Sequence, residues 1–390
     1  MNRSQTPPDL SSLRIALVHD WLVTYGGAER VLEQLVHLFP QADLFALCDF
    51  IPEGRREFIR NKQVTTSVIQ KIPFARKRYR QYLGLMPYAI EQFDLSRYDL
   101  VISSSHAVAH GVLTTSDQLH ISYFNNTMVY VWDLYQHYLR KAGLKRGLKG
   151  LVARIIMHYV RMWDAGTAHR VDRYVANSQH MRRRLRKLYG CDSQVIYPPV
   201  DISRFTPGGT KKDYYVVVSR LVPFKRIDLV IEAFRRMPDR RLVVVGDGPE
   251  REFLQAAAGP NVEFAGARSS TEVESYLREA RAFLFPSVEP FGIAAVEAIA
   301  AGTPVIAYAG GAALEIVRDG ETGLFFQRQT VEAIIDAVSR FEASERSFRP
   351  EQLRGSAEQF SIVRFREQLL EYVRGAVAEH FAGNSAGPRD

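Results

Sequence analysis

The chain has 390 residues, 46% hydrophobic and 24% charged, a globular composition with room for two domains of roughly 150 residues. This excludes a largely disordered chain and a collagen, and the two distant cysteines, Cys48 and Cys191, exclude a disulfide scaffold and suggest a reducing compartment. The net charge of +8 is unevenly placed: residues 1–198 carry 27 Lys and Arg against 16 Asp and Glu, and residues 199–390 carry 24 against 27.

Met1 to Ser12 is polar with two prolines and lacks the apolar run of a leader. Leu13–His19 then reads as a strand, followed by a Gly26-Gly27 turn and a helix from about Glu29 to Phe39. Asp43–Leu47 is the next strand. Asp99–Ser103, His120–Phe124, Arg173–Asn177 and Gln194–Tyr197 continue the series, which Pro198-Pro199 interrupts as a hinge. The second half alternates more regularly. Its strands are Tyr214–Ser219, Leu242–Val245, Val262–Phe264, Ala282–Phe285 and Pro304–Tyr308. Its helices are Ile227–Arg236, Glu272–Ala280, Ile293–Ala301, about Val331–Phe341, and a last one near Ile362–His380. Repeated strand–helix units with apolar strands predict an α/β chain of two Rossmann-like, doubly wound domains facing across a cleft. The expected divisions are 1–198, 199–358 and, at 359–390, a helix returning toward the first domain and then a polar tail.

The basic surplus lies in three clusters. Arg76, Lys77, Arg78 and Arg80 are interleaved with Phe74, Tyr79 and Tyr82; seven Lys and Arg and no acid lie between Leu134 and Trp163; the third is Arg182, Arg183, Arg184, Arg186 and Lys187. Each reads as a solvated helix face or as part of a surface for an anionic partner. Within the second cluster Leu148, Leu151, Val152, Ile155, Ile156, Tyr159 and Trp163 recur at helical spacing. That stripe fits a helix facing the core or one lying in lipid headgroups. No run of about 18 apolar residues spans a membrane. Nucleic acid is not the expected partner, because no helix-turn-helix or aromatic RNP pattern is present.

Candidate chemistry sits after strands. Tyr25-Gly26-Gly27-Ala28-Glu29-Arg30 opens a helix, where glycines admit a close ligand and free N–H groups attract an anion; GxGxxG, the dinucleotide pattern, is absent. The stretch from Ser219 to Arg226 places Arg220 and Lys225 in one loop, a fork and a point charge for phosphate oxygens. Glu289 and Glu297 stand eight residues apart across a strand-to-helix junction. There the N–H groups of Phe291, Gly292 and Ile293 suit a diphosphate. A tight turn, a surface ion pair and a pair of capping carboxylates are the plain alternatives for these three motifs.

In this order the residues resemble the retaining glycosyltransferases of family 4, of the GT-B fold. The resemblance rests on E-x7-E from Glu289 to Glu297, the Ala298–Val305 segment, the Arg220/Lys225 pair and the Gly-Asp-Gly-Pro turn at 246–249. Leu17–Trp21, Gly26–Arg30, Ser103–His106 and Tyr130–Asp133 look like a bacterial subgroup that adds mannose or a similar sugar to lipid-linked glycans of O-antigen or exopolysaccharide. The resemblance implies that Arg220 and Lys225 hold the donor diphosphate, Glu297 the ribose and Glu289 the transferred sugar. Gly26 and Gly27 would frame the phosphate and acceptor. Asn125 stands where such enzymes often carry His; it can bond a sugar hydroxyl but cannot take up a proton. His106 is the nearest alternative contact.

The expected activity is transfer of a hexose, mannose from GDP-mannose, without a metal, since no Asp-x-Asp occurs, and without a cofactor beyond the nucleotide-sugar substrate. A UDP-sugar transferase and a catalytically silent nucleotide-sugar-binding protein are the alternatives. The expected partners are a lipid-linked oligosaccharide acceptor and an anionic membrane surface. The expected place is the cytoplasmic face of the inner membrane, as a peripheral protein.

Overall fold

The computed structural model describes residues 9–141, 143–144 and 146–383; most of the polar N-terminal stretch and the expected tail at 384–390 lie outside them. The chain divides into two compact units. One runs to Pro198 and takes the chain back from Phe365; the other is Pro199–Arg364.

The first unit is built on β1 (Ile15–His19), β2 (Asp43–Ala46), β3 (Val64–Thr66), β4 (Leu100–Ser105), β5 (Leu119–Phe124), β6 (Arg173–Ala176) and β7 (Gln194–Val195). They form one parallel sheet in the order β3-β2-β1-β4-β5-β6-β7. β1, β4 and β5 are buried along their whole length, because alternate residues feed different cores on the two faces. Ile15, Leu17, Leu100 and Ile102 join one core, while Ala16, Val18 and Val101 join the other. The first core is covered by α1 (Gly27–Leu38), through Val31, Leu32, Leu35 and Val36. The returning terminal helix (Ile362–Gly383) adds Phe365, Leu369, Val373 and Val377. The second core takes a 3-10 segment Tyr79–Leu85, which continues α2 (Ala75–Arg78), then α3 (Met86–Glu91) and the inner side of α5 (Gly147–Gly166), which follows α4 (Tyr135–Lys141). Beyond β6 runs α6 (Gln179–Tyr189).

The face that α5 presents departs from a core-facing reading of its stripe. Of its residues only Gly150, Val160 and Asp164 are buried, whereas Leu148, Leu151, Val152, Ile155 and Tyr159 are exposed. Trp163 alone of the stripe's larger rings turns inward, where Gly111 makes room: a Cβ there would lie 2.3 Å from the indole. The third basic cluster is partly neutralised, with Arg182 on Asp192 at 2.8 Å and Arg184 on Asp133.

The second unit carries β8 (Tyr215–Val218), α7 (Ile227–Arg235), β9 (Leu242–Val245), α8 (Arg251–Ala257), β10 (Val262–Gly266), α9 (Ser270–Glu279), β11 (Phe283–Phe285), α10 (Ile293–Ala300), β12 (Val305–Tyr308), α11 (Ala313–Ile316), β13 (Gly323–Phe326), α12 (Val331–Ser344) and α13 (Pro350–Ser356). Its parallel sheet runs β10-β9-β8-β11-β12-β13. In each sheet the order reverses once, between β1 and β4 and between β8 and β11. Ligands of doubly wound sheets bind outside the strand C-termini at such switch points.

Candidate active site

In the second unit the loops leaving β8 and β11 hold the predicted residues. Lys225 Nζ lies 2.5 Å from Glu289 Oε2, with both side chains largely buried. Ser287 Oγ donates to the other carboxylate oxygen at 2.7 Å. Glu289 is therefore fixed by an ammonium and a hydroxyl and caps no helix, which disposes of the capping alternative for it. Lys retains further N–H donors for an incoming oxyanion. Arg220, in the same loop as Lys225, is exposed, and its guanidinium has no ion-pair or hydrogen-bond partner among the described residues.

The surrounding turns hold these loops by close backbone packing. Gly311, at φ +65°, lies so near Glu289 that a Cβ would meet its carbonyl oxygen at 2.8 Å, and Ala312 N–H donates to that oxygen at 3.1 Å. Gly248 abuts the Leu221 carbonyl, a Cβ being 2.3 Å away, and Leu221 N–H bonds the Asp247 carbonyl. The glycines thus let the β9 and β12 turns brace the β8 and β11 loops. Gly292 precedes α10, and Ile293 begins it. Phe291 packs on Phe360. Glu297 is buried one turn into the helix.

In the first unit the predicted Gly26, Gly27, His106 and Asn125 gather near the β1–β4 switch point. Gly26 N–H donates to Glu29 Oε2 at 2.9 Å, so the acid of the glycine motif caps its own helix. Glu29 Oε1 is 3.6 Å from His19 Nε2, and the His19 and His106 rings are 5.7 Å apart. Asn125 follows β5, donating to Ser104 Oγ at 2.9 Å and accepting from Asn177 at 2.7 Å.

The organising residue here is Asp20, which motif spacing did not single out. It is fully buried. Its Oδ2 accepts the backbone N–H groups of His106 (2.6 Å) and Ala107 (3.0 Å), and its Oδ1 those of Val108 (2.6 Å) and Ala109 (2.8 Å). His106 Nδ1 lies 2.9 Å from Oδ2. Burial opposes the carboxylate charge, yet His106 and these donors hold the Asp20 carboxyl well below the usual range. Burial likewise pushes the His106 imidazole down, but Asp20 more than offsets it and the net shift is upward from 6.5. Trp21 meets the His106 ring edge-on at 4.6 Å, leaving the histidine side chain 21% exposed.

Two such doubly wound sheets, with the candidate loops at the switch point of the second, are the arrangement of a GT-B fold. Residues 201–359 match the family model "Glycosyl transferases group 1" and residues 25–204 match "Glycosyltransferase Family 4"; the two matches support a glycosyltransferase of the GT-B type. Among curated relatives, D-inositol 3-phosphate glycosyltransferase of Mycobacterium tuberculosis is 32% identical over 192 residues. That match covers 43% of this chain, and the chain spans only 40% of the relative's length. Among solved structures, HepE of Anabaena in complex with UDP aligns over 93% of this chain and 100% of its own, with TM-score 0.69 and 16% identity. Sucrose-phosphate synthase of Thermosynechococcus elongatus covers 94% and 100%, with TM-score 0.70 and 19% identity. At these identities the structures establish the fold.

Proposed function

We propose that this protein is a retaining glycosyltransferase that moves a hexose, mannose from GDP-mannose, onto a lipid-linked glycan of bacterial surface polysaccharide. The proposed setting is peripheral, at the cytoplasmic face of the inner membrane. The observation that carries the reading is the Lys225–Glu289 pair beside exposed Arg220 at the β8–β11 switch point. Cleavage of the sugar–phosphate bond puts positive charge on the sugar and negative charge on the departing diphosphate. Arg220, Lys225 and the N–H groups at the start of α10 suit that leaving charge. Glu289, held in place by Lys225 and Ser287, suits sugar hydroxyls, and Glu297 a ribose. In the first unit His106 and Asn125 offer polar contacts to an acceptor or sugar.

A UDP-sugar donor is the second reading, favoured by the structures of HepE in complex with UDP and with UDP-glucose. Thermal unfolding with each nucleotide sugar separates the two. A true donor at 100 times its Kd adds about 2.7 kcal/mol of stability. GDP-mannose should raise the Tm above any UDP-sugar; a larger rise with a UDP-sugar reverses the assignment, and no rise with any donor removes it. Metal-independent turnover is part of the proposal. Rates should be unchanged by excess EDTA, and strict dependence on Mn²⁺ or Mg²⁺ would count against it.

A further inference from the structure

We propose that the outward face of α5, joined to the basic α2 segment beside it, is the surface by which the first unit docks on an anionic lipid bilayer. This deepens the lipid-linked reading above, and rests on it only for why the protein visits a membrane. Leu148, Leu151, Val152, Ile155, Tyr159 and Met162 recur along one stripe and are 47–77% exposed. A contiguous apolar stripe of this length on a soluble face marks an interaction site.

The opposite side of α5 is bolted to the unit, so the exposure is not a loose helix. Asp164, fully buried, accepts from Trp132 Nε1 at 2.7 Å and from Tyr189 Oη at 3.0 Å, and lies 3.2 Å from His110 Nε2. Val160 is buried beside it. These polar anchors fix which side of the helix turns inward and leave the apolar stripe facing out.

Charge selects the occupant. The Tyr79–Leu85 segment packs on α5, with Gly84 so close to Ile156 that a Cβ would lie 3.1 Å from its Cγ2. This segment continues α2, whose Arg76, Lys77 and Arg78 are exposed, as is Arg80. Exposed Phe74 precedes them and exposed Leu85 and Tyr88 follow. Residues 58–90 contain seven Lys and Arg and no Asp or Glu, as do residues 134–163. Two acid-free segments in contact, one apolar outward and one cationic, match a bilayer with anionic headgroups and an apolar interior. No helix among the described residues is long and apolar enough to cross a membrane, so the geometry is that of a helix lying in the interface.

The test is co-sedimentation of the full chain with phosphatidylcholine vesicles containing 0 or ~30 mol% phosphatidylglycerol at low salt, where attraction of cationic residues is strong. Binding should require phosphatidylglycerol and fall as salt rises. Leu151→Glu with Ile155→Glu, both on exposed positions, should lower partitioning at least ~10-fold. Lys77→Gln and Arg78→Gln should each lower it about fivefold. Circular dichroism should be unchanged in all variants, and so should donor-induced thermal stabilisation. Absence of binding to phosphatidylglycerol vesicles overturns the proposal, as does binding that these variants leave intact. So does a concentration-dependent dimer of the wild-type chain that Leu151→Glu/Ile155→Glu dissolves while vesicle binding persists, since the stripe would then serve a second copy. Vesicle binding needs no turnover: docking without donor stabilisation would refute the transferase reading alone, and donor stabilisation without docking would refute this one alone.

Discussion

Arg220→Ala should lower the transfer rate at least ~100-fold while leaving the melting temperature unchanged. A donor group aimed at charge that develops in the transition state is worth about 2.7–4 kcal/mol, a factor of 10² to 10³. The Arg220 side chain is exposed and carries no ion-pair or hydrogen-bond partner among the described residues, so truncating it breaks no polar contact of the fold, and exposed substitutions of this kind stay within about 0.5 kcal/mol. Lys225→Ala should show the same loss of rate for a mixed reason. It removes a charge meant for the diphosphate and also strips Glu289 of its ammonium partner at 2.5 Å, leaving a largely buried carboxylate held by Ser287 alone. Some stability should therefore be lost with Lys225→Ala and none with Arg220→Ala. Lys225→Arg keeps the charge but replaces a compact ammonium by a planar fork, and should recover stability better than rate. Initial rates at saturating donor, with Tm on the same preparations, decide it. Near-normal turnover in both alanine variants would end the assignment of this loop to leaving-group stabilisation.

How much of this was legible beforehand depended on where the signal is written. β1, β4 and β5 stand out in the sequence because buried parallel strands are apolar on both faces. β3 does not: Val64–Thr66 is a three-residue, half-exposed edge strand. β13 begins at Gly323, a residue that ordinarily marks a turn; here it is required because a Cβ would sit 1.9 Å from the Val305 carbonyl oxygen. Lys225 and Glu289 could each be singled out, since both are charged side chains in loops after strands, but their pairing was not written in the pattern. Asp20 could not. Besides the His106 imidazole, its partners are backbone N–H groups 86 to 89 residues away, and a backbone donor has no residue identity for a pattern to detect. For α5 the period of the stripe was readable but its direction was not. Periodicity reports that one face is apolar, whereas the buried Asp164 anchors determine which face meets the protein.

Asp20→Asn should destabilise the first unit by about 3–5 kcal/mol, the cost of breaking a buried, hydrogen-bonded ion pair from one side. Four N–H groups converge on two carboxylate oxygens; an amide offers one acceptor oxygen and turns an NH₂ toward donors. The substitution also removes the anion that holds the His106 pKa up. The sign of the pH dependence follows. Because the folded imidazole binds its proton more tightly than the unfolded one, this contribution is fully present below about pH 6.5 and is lost as pH rises through the higher folded value. The Asp20 carboxyl is depressed, so its own contribution is present above about pH 4 and is lost only as pH falls through its folded value, below the ordinary carboxylate range. Between pH 6 and 8 the wild type should therefore lose stability from the His106 pair, while Asp20→Asn, already without it, should show a flatter profile. All three tryptophans, Trp21, Trp132 and Trp163, lie before Pro198, so urea unfolding followed by tryptophan fluorescence reports this unit selectively. Should Asp20→Asn unfold within 1 kcal/mol of wild type, with the same slope across that window, the carboxylate would be a bystander. The β1–β4 end of the sheet would then be organised by the loop backbone alone.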